Sequence, residues 1–588
     1  MKTTRELSGF EVVSDPLPAS PSRLEATTMP AQAGRVRAEW PDVLAPGARE
    51  VLAETLLAYV RPRRWFRAKA RETRGARVSD VIGLDDGPAT PRAALVLLEI
   101  SYREGEDESY VVPVAHADGE TARGLASGAA PHAIIAWFDS GGALVDGLAT
   151  GQAAPALLAL VREGGRRRGD AGELRGEGTA ELERMVGSAA LPARASSAEQ
   201  SNSSVVLGER VLLKTYRLLT AGLNPELELG RYLTAHPRQP PTPRVLGALQ
   251  YRARDGREGS VAIVHEYLRN DGDAWSRTVH ALRGSFERIA AGEREDGALG
   301  LPRFSAEAET LGGRVGDLHL ALAETTPGDA AADPAFAPSP LTDEDRAAAV
   351  AGVEAALARV LAPLAAHVER LPEPLRTRAR RLLDPAGVER ERIAELLRRF
   401  RDERLCIVKI RTHGDLHLGQ VLCRGDDFVI IDFEGEPTRT LAERRAKSSP
   451  VRDVVGLLRS YDYAPAVAAR ARPSTEHDSD RSRAITDFAK AWKRVVTEGF
   501  LRGYLARAQD APFLPTAPRA PSAPRAHVSP SQLALTLRFY ELERVVYELG
   551  YEMNNRPDWL DIPLRGLTAL ADPGALPPPL APARKHDR

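Results

Sequence analysis

Cysteine is nearly missing from this chain of 588 residues. The two present, Cys406 and Cys423, cannot frame a disulfide-stapled secreted scaffold, and both lie in segments with buried-strand composition, so reduced thiols are expected. A net charge of −1, from 80 basic and 81 acidic residues, excludes a global field that recruits nucleic acid or a membrane surface. The N-terminal MKTTRELSGFEVVSDPLPAS lacks the apolar stretch of a signal peptide, and no apolar run is read as approaching the ~20 residues needed to span a bilayer. A soluble cytoplasmic protein is expected. No G-x-x-x-x-G-K-[ST] sequence occurs, which excludes a P-loop. Lysine is scarce too, with eight among the 80 basic residues, so a lysine inside an apolar strand draws notice.

What is there, 43% hydrophobic and 27% charged residues, suits a globular chain long enough for several domains. Residues 1 to about 36 are polar and Pro-punctuated and read as a poorly ordered leader, and folded structure is expected from near Trp40. Val51, Leu52, Thr55, Leu56 and Tyr59 recur at helical spacing, and strands are predicted over 77–84, 93–102 and 109–115, with EGEDE as a hairpin turn. The stretch REGGRRRGDAGELRGEG (162–178) shows no apolar periodicity and reads as a surface loop or linker. Segments 325–345, 466–484 and 510–530 read as insertions, and a Pro-rich tail runs from 573.

The pentapeptide GDLHL occurs twice, at 316–320 and 414–418. The first copy lies within a helical stripe of Leu311, Val315, Leu318 and Leu322, so Asp317 and His319 read as helix-surface or packing residues. The second sits in CIVKIRTHGDLHLGQVLCRGDDFVIIDFEGEP (406–437), which reads as strand, polar loop, short strand, turn and a strand ending at Asp432. Asp415 on the loop, Gln420 at its exit and Asp432 after FVII can converge at the open end of that hairpin. This suits phosphoryl transfer, in which one carboxylate orients a hydroxyl and accepts its proton while an amide oxygen and a second carboxylate hold magnesium. A rival reading takes His413, Asp415 and His417 as a zinc cluster of a hydrolase. A third takes the loop as purely structural.

A nucleotide element is sought in EQSNSSVVLGERVLLKTYR (199–217), where a polar turn at Ser201, Asn202, Ser203 and Ser204 enters a strand and Gly208-Glu209-Arg210 turns back. Alternation puts Leu212, Lys214 and Tyr216 on one face, so Leu212 could line an adenine pocket while Lys214 reaches phosphates; an edge-strand lysine facing solvent is the plain alternative. Asn224-Pro225 opens a helix carrying Glu226 and Glu228. Glu228 is the favoured ion-pair partner of Lys214, because Glu226 is explained by the helix dipole alone. In VAIVHEYL (261–268), Glu266, Tyr267 and Leu268 suit a hinge at the adenine edge.

In this order, the strand lysine, helix glutamate, hinge, H-x-D-x-x-x-x-Q loop and I-D-F-E strand resemble the aminoglycoside phosphotransferase-like small-molecule kinases. HGDLHLGQVL, IDFEGEP, AERRAKSSPVRDVVGLLRSYDYA (442–464) and YELGYEMNNRPDWLDIPL (547–564) look like the maltokinase family, over roughly residues 40–570. The resemblance implies an α+β, bilobal protein-kinase-like fold: leader 1–35, N-terminal cap subdomain 36–130, β-rich nucleotide-binding region 131–268, mainly helical C-terminal lobe 269–571 and tail 572–588. It makes Asp415 the catalytic base, Gln420 and Asp432 the magnesium ligands, Lys214 the phosphate contact, His413 part of the loop signature and Asp453 a brace from the following helix. It implies ATP-dependent phosphorylation of maltose to maltose 1-phosphate, feeding α-glucan synthesis with trehalose upstream, and possible association with trehalose synthase. Another sugar or aminoglycoside-type substrate, or a silent binding module of kinase shape, are the alternatives.

The sugar site is placed on the helix starting near Ser529-Pro530, where Leu535, Phe539, Leu542, Val546, Leu549 and Met553 form a buried stripe. Tyr540, Arg544, Tyr547 and Tyr551 lie on a neighbouring face and offer rings and a forked cation to a disaccharide. By resemblance Tyr547 is a maltose contact, and Arg544 stands where the family usually has Lys. In RRWFRAKAR (63–71), Trp65, Phe66, Lys69 and Arg71 match the family's cap signature, but its glycines are missing.

Overall fold

Strand Ala93–Tyr102 is apolar at nearly every position, and the structure, a computed structural model, shows why. Ala93, Leu95 and Leu97 face one core while Ala94, Val96, Leu98 and Ile100 face another, so the strand is central and covered on both sides. The structure describes residues 34–85, 92–128, 130–187, 190–196, 201–293, 299–324, 334–470, 479–516 and 528–570. The expected leader (but for its last two residues), the tail and much of the three later insertions lie outside them. The chain divides into two units, one holding 34–235 and 242–272, the other 236–241 and 273–570.

In the first unit, β1 (Gly34–Val36), β2 (Thr73–Gly83), β3 (Ala93–Tyr102), β4 (Glu108–Ala117), β5 (Ile134–Phe138) and β6 (Ala143–Asp146) form a sheet in the order β1-β5-β6-β4-β3-β2. The boundary expected at 130 therefore falls inside this sheet, because the β5–β6 hairpin pairs back onto β4 with Val114 opposite Asp146. Helix α1 (Arg49–Val60) covers its outer face with Leu52, Leu56 and Tyr59. Trp65 and Phe66 of RRWFRAKAR are buried there, Arg71 lies 3.7 Å over the Tyr102 ring, and Lys69 is exposed.

The second sheet of this unit contains β7 (Arg166–Arg168), β8 (Gly172–Gly178), β9 (Ala193–Ala195), β10 (Asn202–Leu207) and β11 (Val211–Tyr216). β12 (Leu218–Leu219) pairs with β4 in the first sheet, and β13 (Val245–Ala253) and β14 (Glu258–Glu266) complete the order β7-β8-β13-β14-β11-β10-β9. The linker expected at 162–178 is thus a strand hairpin. Buried Asp80 accepts from the backbone N–H of Asp170 at 2.6 Å and Ala171 at 3.1 Å and from the Tyr251 hydroxyl at 2.8 Å, which fixes the turn. A Cβ at Gly169 would lie 2.3 Å from Asp80 Oδ1, so the glycine that suggested a loop is required by this close approach. The expected SNSS turn is also strand, since Asn202, Ser203 and Ser204 pair with Tyr216, Thr215 and Lys214.

The second unit is helical, with β15 (Ser339–Pro340), β16 (Val408–Lys409) and the hairpin β17 (Val421–Arg424) and β18 (Asp427–Ile430). The helices used below are α2 (Leu301–Ala323), α3 (Asp343–His367), α4 (Val388–Asp402), α5 (Val451–Arg470), α6 (Ser479–Ala508) and α7 (Pro530–Asn555). On α7 the predicted stripe from Leu535 to Leu549 is buried, and Phe539 stacks on Phe400 of α4 at 3.6 Å. Cys423 is buried, but Cys406 is exposed, because the strand expected around it shrinks to Val408–Lys409.

The helical stretch Asp343–Arg370 is long and apolar enough to cross a membrane by length and composition, contrary to the sequence reading. Alanines supply that apolarity. The helix begins in a Thr342–Asp345 capping box and buries Val350, Val353, Leu357 and Leu364 within its unit.

Candidate active site

The loop His413–Leu418 is held by one face of α5. Asp453 Oδ2 accepts from His413 N at 2.8 Å and its Oδ1 from Gly414 N at 3.0 Å. Gly456 meets the Leu416 carbonyl, and Ser460 Oγ accepts from Leu418 N at 3.2 Å. The spacing 453, 456, 460 is one helical stripe, so α5 grips the loop once per turn. Burial alone would raise the Asp453 carboxyl; hydrogen bonds from His319 and Gly414 and the neighbouring imidazoles outweigh it and hold the group below its usual range.

His413 uses both ring nitrogens inside this structure. Its Nε2 donates to the Ile431 carbonyl at 2.8 Å and its Nδ1 accepts from Asp415 N at 3.3 Å. His417 Nδ1 accepts from Gly419 N at 3.1 Å, and burial pushes that imidazole down to about 3, so it is neutral. His413 is occupied on both nitrogens and His417 on Nδ1, its Nε2 being buried without a partner, and among the described residues neither histidine falls in a group of side chains close enough to hold a metal ion, which disfavours the zinc reading.

Gln420 and Asp432 meet at the hairpin's open end, where Gln420 Nε2 donates to Asp432 Oδ2 at 2.9 Å. Gln420 Oε1 is buried without a hydrogen-bond partner, and Asp432 sits in the left-handed region at φ 68°, a strained conformation for a residue with a side chain. An orphaned amide oxygen beside a carboxylate is a donor set that fits a hard cation.

Asp415 opens into a cleft of about 750 Å³, mouth included, which lies wholly within the second unit. Tyr540, Arg544 and Tyr547 of α7 line it, as predicted; Tyr551 does not, and instead stacks on Tyr547 at 6.3 Å. The Arg544 guanidinium stands 3.4 Å from Asp415 Oδ1 and 3.7 Å from Glu548, which Arg459 holds at 2.7 Å. Burial pushes the Asp415 carboxyl up to about 6 against the opposing pull of Arg544. Every other lining carboxylate is engaged: Glu436 by Arg439 and Thr438, Glu443 by Thr440, Glu543 by Arg452.

In the first unit, Lys214 is buried and its Nζ donates to Glu226 at 2.8 Å. The helix carboxylate that pairs with it is therefore Glu226, where the sequence favoured Glu228. Glu226 also accepts from Tyr216 at 2.9 Å, and His265 lies 3.4 Å away, so the first-turn position serves more than the helix dipole. Ser203 Oγ accepts from Arg217 Nε at 2.7 Å, and Arg217 reaches Asp146 at 2.7 Å, tying β10 to β6. At the hinge, the N–H groups of Glu266 and Tyr267 donate to Arg244 and Arg210 carbonyls. Leu212 is half-buried on the face that carries Lys214.

Residues 59–149 match the maltokinase N-terminal cap domain family. Over these residues the chain is similar to the caps of maltokinases. The matched cap covers the end of α1 and strands β2 to β6, so it coincides with most of the first sheet. Similar proteins include a glucosamine kinase of Mycolicibacterium smegmatis, 27% identical over 391 residues, which cover 64% of this chain and 79% of that one. A glucosamine kinase of Streptacidiphilus jiangxiensis is 27% identical over 380 residues, 63% of this chain and 72% of that one. Among solved structures, a glucosamine kinase in complex with glucosamine, ADP and inorganic phosphate shares the fold at a TM-score of 0.54 and 20% identity, over 91% of this chain and 100% of that chain.

Glu436, Glu548 and the Arg452–Glu543 pair were not singled out from sequence. Arg452 adjoins the predicted Asp453, and Glu548 lies four residues after Arg544; those spacings were the available signals.

Proposed function

We propose that this chain is an ATP-dependent sugar kinase and that its sugar is maltose, phosphorylated on the anomeric hydroxyl. The observation that carries the reading is the cleft at Asp415: a carboxylate poised near neutrality, tyrosine rings beside it, and no lining acid without a partner. Such a wall offers hydroxyl-binding donors and acceptors and apolar ring faces to an uncharged sugar.

Asp415 orients the acceptor hydroxyl and takes its proton as the oxygen bonds to the γ-phosphorus. The bond from that phosphorus to the bridging oxygen breaks, and ADP leaves. Lys214, held by Glu226, contacts the nucleotide phosphates, the strand residues 201–204 border them, and Leu212 with the backbone of Glu266 to Leu268 receives the adenine. Gln420 and Asp432 would hold magnesium, which would supply positive charge to the phosphate oxygens. Arg544, Tyr540 and Tyr547 take the sugar, with Tyr551 backing Tyr547. His413 and Asp453 keep the loop in place. Maltose 1-phosphate suits a cytoplasmic α-glucan route with trehalose upstream, and trehalose synthase is the partner class this reading implies.

The relatives favour a second reading, phosphorylation of glucosamine. An amino sugar is an ammonium ion at neutral pH, and Asp415, Glu436 and Glu543 of the cleft wall already face arginines, which leaves it chiefly the exposed Glu443, held by Thr440. Initial rates with maltose, glucose and glucosamine at saturating ATP separate the two. The expected kcat/KM for maltose exceeds that for glucosamine by about 10²-fold or more; the reverse order would move the assignment to the amino sugar.

A further inference from the structure

We propose that Glu548 is a positioning residue that holds Arg544 back from Asp415 and so sets how strongly that cation acts on the carboxylate; the inference deepens the sugar-kinase reading, on which the role of Asp415 rests. The Arg544 guanidinium lies between two acids and closes on neither. Its Nη1 and Nη2 both stand 3.4 Å from Asp415 Oδ1, and its Nε stands 3.7 Å from Glu548 Oε1. A guanidinium free to choose one carboxylate approaches to about 2.8 Å. Arg544 Nε is buried with no hydrogen-bond partner among the described residues, so the cation is shared between the two acids rather than paired with either.

Glu548 can restrain Arg544 because it is itself fixed. It is buried on α7, and Arg459 of α5 grips it, with Nη2 2.7 Å and Nε 3.1 Å from Oε2. Arg459 also reaches Asp462, one turn along α5, at 2.7 Å, and Asp462 pairs with Lys493 on α6. Lys493, Asp462, Arg459, Glu548, Arg544 and Asp415 thus alternate in sign across three helices and the loop, and Asp415 is the end member. Packing alone does not call for an acid at 548. Val545, Val546 and Leu549 around it are buried, a hydrocarbon would fill the same space without a charge to satisfy, and Arg459 already has Asp462. What Glu548 adds is a second pull on Arg544. Without it the guanidinium closes on Asp415 Oδ1, favours the ionised carboxylate further and weakens it as a base. The other charged or titratable groups that act on Asp415 are His413 on its own loop and Asp432 and Glu436 after β18. Those that act on Glu548 are Tyr463 on α5 and Glu541 and Glu552 on α7. All six stay in place in the variants below.

The test follows Asp415 itself in the full chain. Aspartate isotope-labelled at the side-chain carboxyl carbon is incorporated, the Asp415 resonance is assigned by its loss in Asp415→Asn, and its titration is followed; the acid limb of kcat is measured in parallel at saturating sugar and ATP. The wild-type midpoint is expected at about 6. In Glu548→Gln it should fall by about one pH unit or more in both measurements. In Arg544→Met it should rise, and adding Glu548→Gln to that variant should give less than about a third of the shift it gives alone, because Glu548 then has no cation to hold. Lys493→Met, at the exposed outer end of the row, should leave the midpoint in place. A midpoint unmoved by Glu548→Gln, or an equal shift with and without Arg544, would overturn the proposal, the second by showing that the charge of Glu548 acts on Asp415 directly. Should Glu548→Gln not fold, Glu548→Asp decides: it keeps an acid for Arg459 and draws the charge back by one methylene, and a shift of the same sign is expected. The kinetic arm rests on the sugar-kinase reading, but the resonance arm does not. A chain inactive on every sugar with the resonance shift intact would sink that reading alone, whereas an unmoved resonance overturns the role of Glu548.

Discussion

Asp415→Asn should lower kcat by about 10²–10⁴-fold while leaving the KM for sugar nearly unchanged, because the amide keeps the shape and loses only the ability to accept a proton. The same group sets a pH dependence. Burial raises the Asp415 carboxyl to about 6, and only its ionised form accepts a proton, so kcat should rise tenfold per pH unit below about 6 and level above it. Arg544 stabilises the ionised form from 3.4 Å, so Arg544→Met, measured at saturating sugar, should move that limb to higher pH. A flat profile from pH 5 to 8, or full activity in Asp415→Asn, would remove Asp415 from the chemistry.

Gly456→Ala is the second large expected effect, and it tests the scaffold. A Cβ at this position in α5 would stand 2.2 Å from the Leu416 carbonyl oxygen. Backbone cannot yield as a flexible side chain does, so either α5 or the loop shifts by about an ångström, enough to cost about 10²-fold in kcat. Gly352→Ala on α3 is the control, since its Cβ meets nothing within 4 Å and alanine favours a helix by about 1 kcal/mol. The expected pattern is a slow Gly456 variant with native circular dichroism and an unimpaired, slightly more stable Gly352 variant. Equal activities would show that the loop tolerates displacement.

How much of this was legible in sequence depended on whether the signal was local. β3 and α7 follow from composition and periodicity, and strand boundaries at 93–102 match the prediction because both faces are buried. The hairpin bearing Gln420 and Asp432 follows from its turn residues. The β7–β8 hairpin was missed because its order comes from Asp80, ninety residues earlier, and from glycines whose purpose is close approach. Glu226 was misjudged because a first-turn acid has a sufficient local explanation, while Lys214, Tyr216 and His265, which meet it, lie on two strands distant in sequence. His319 was read as a helix-surface or packing residue because nothing near position 319 announces Asp453, 134 residues on.

The most direct measurement is to incubate the purified chain with maltose, ATP and magnesium and to follow phosphorus and carbon resonances of the products. One equivalent of ADP per maltose carrying phosphate at its anomeric carbon is the predicted result. ATP left intact with maltose, or phosphate found on any other hydroxyl, would contradict it.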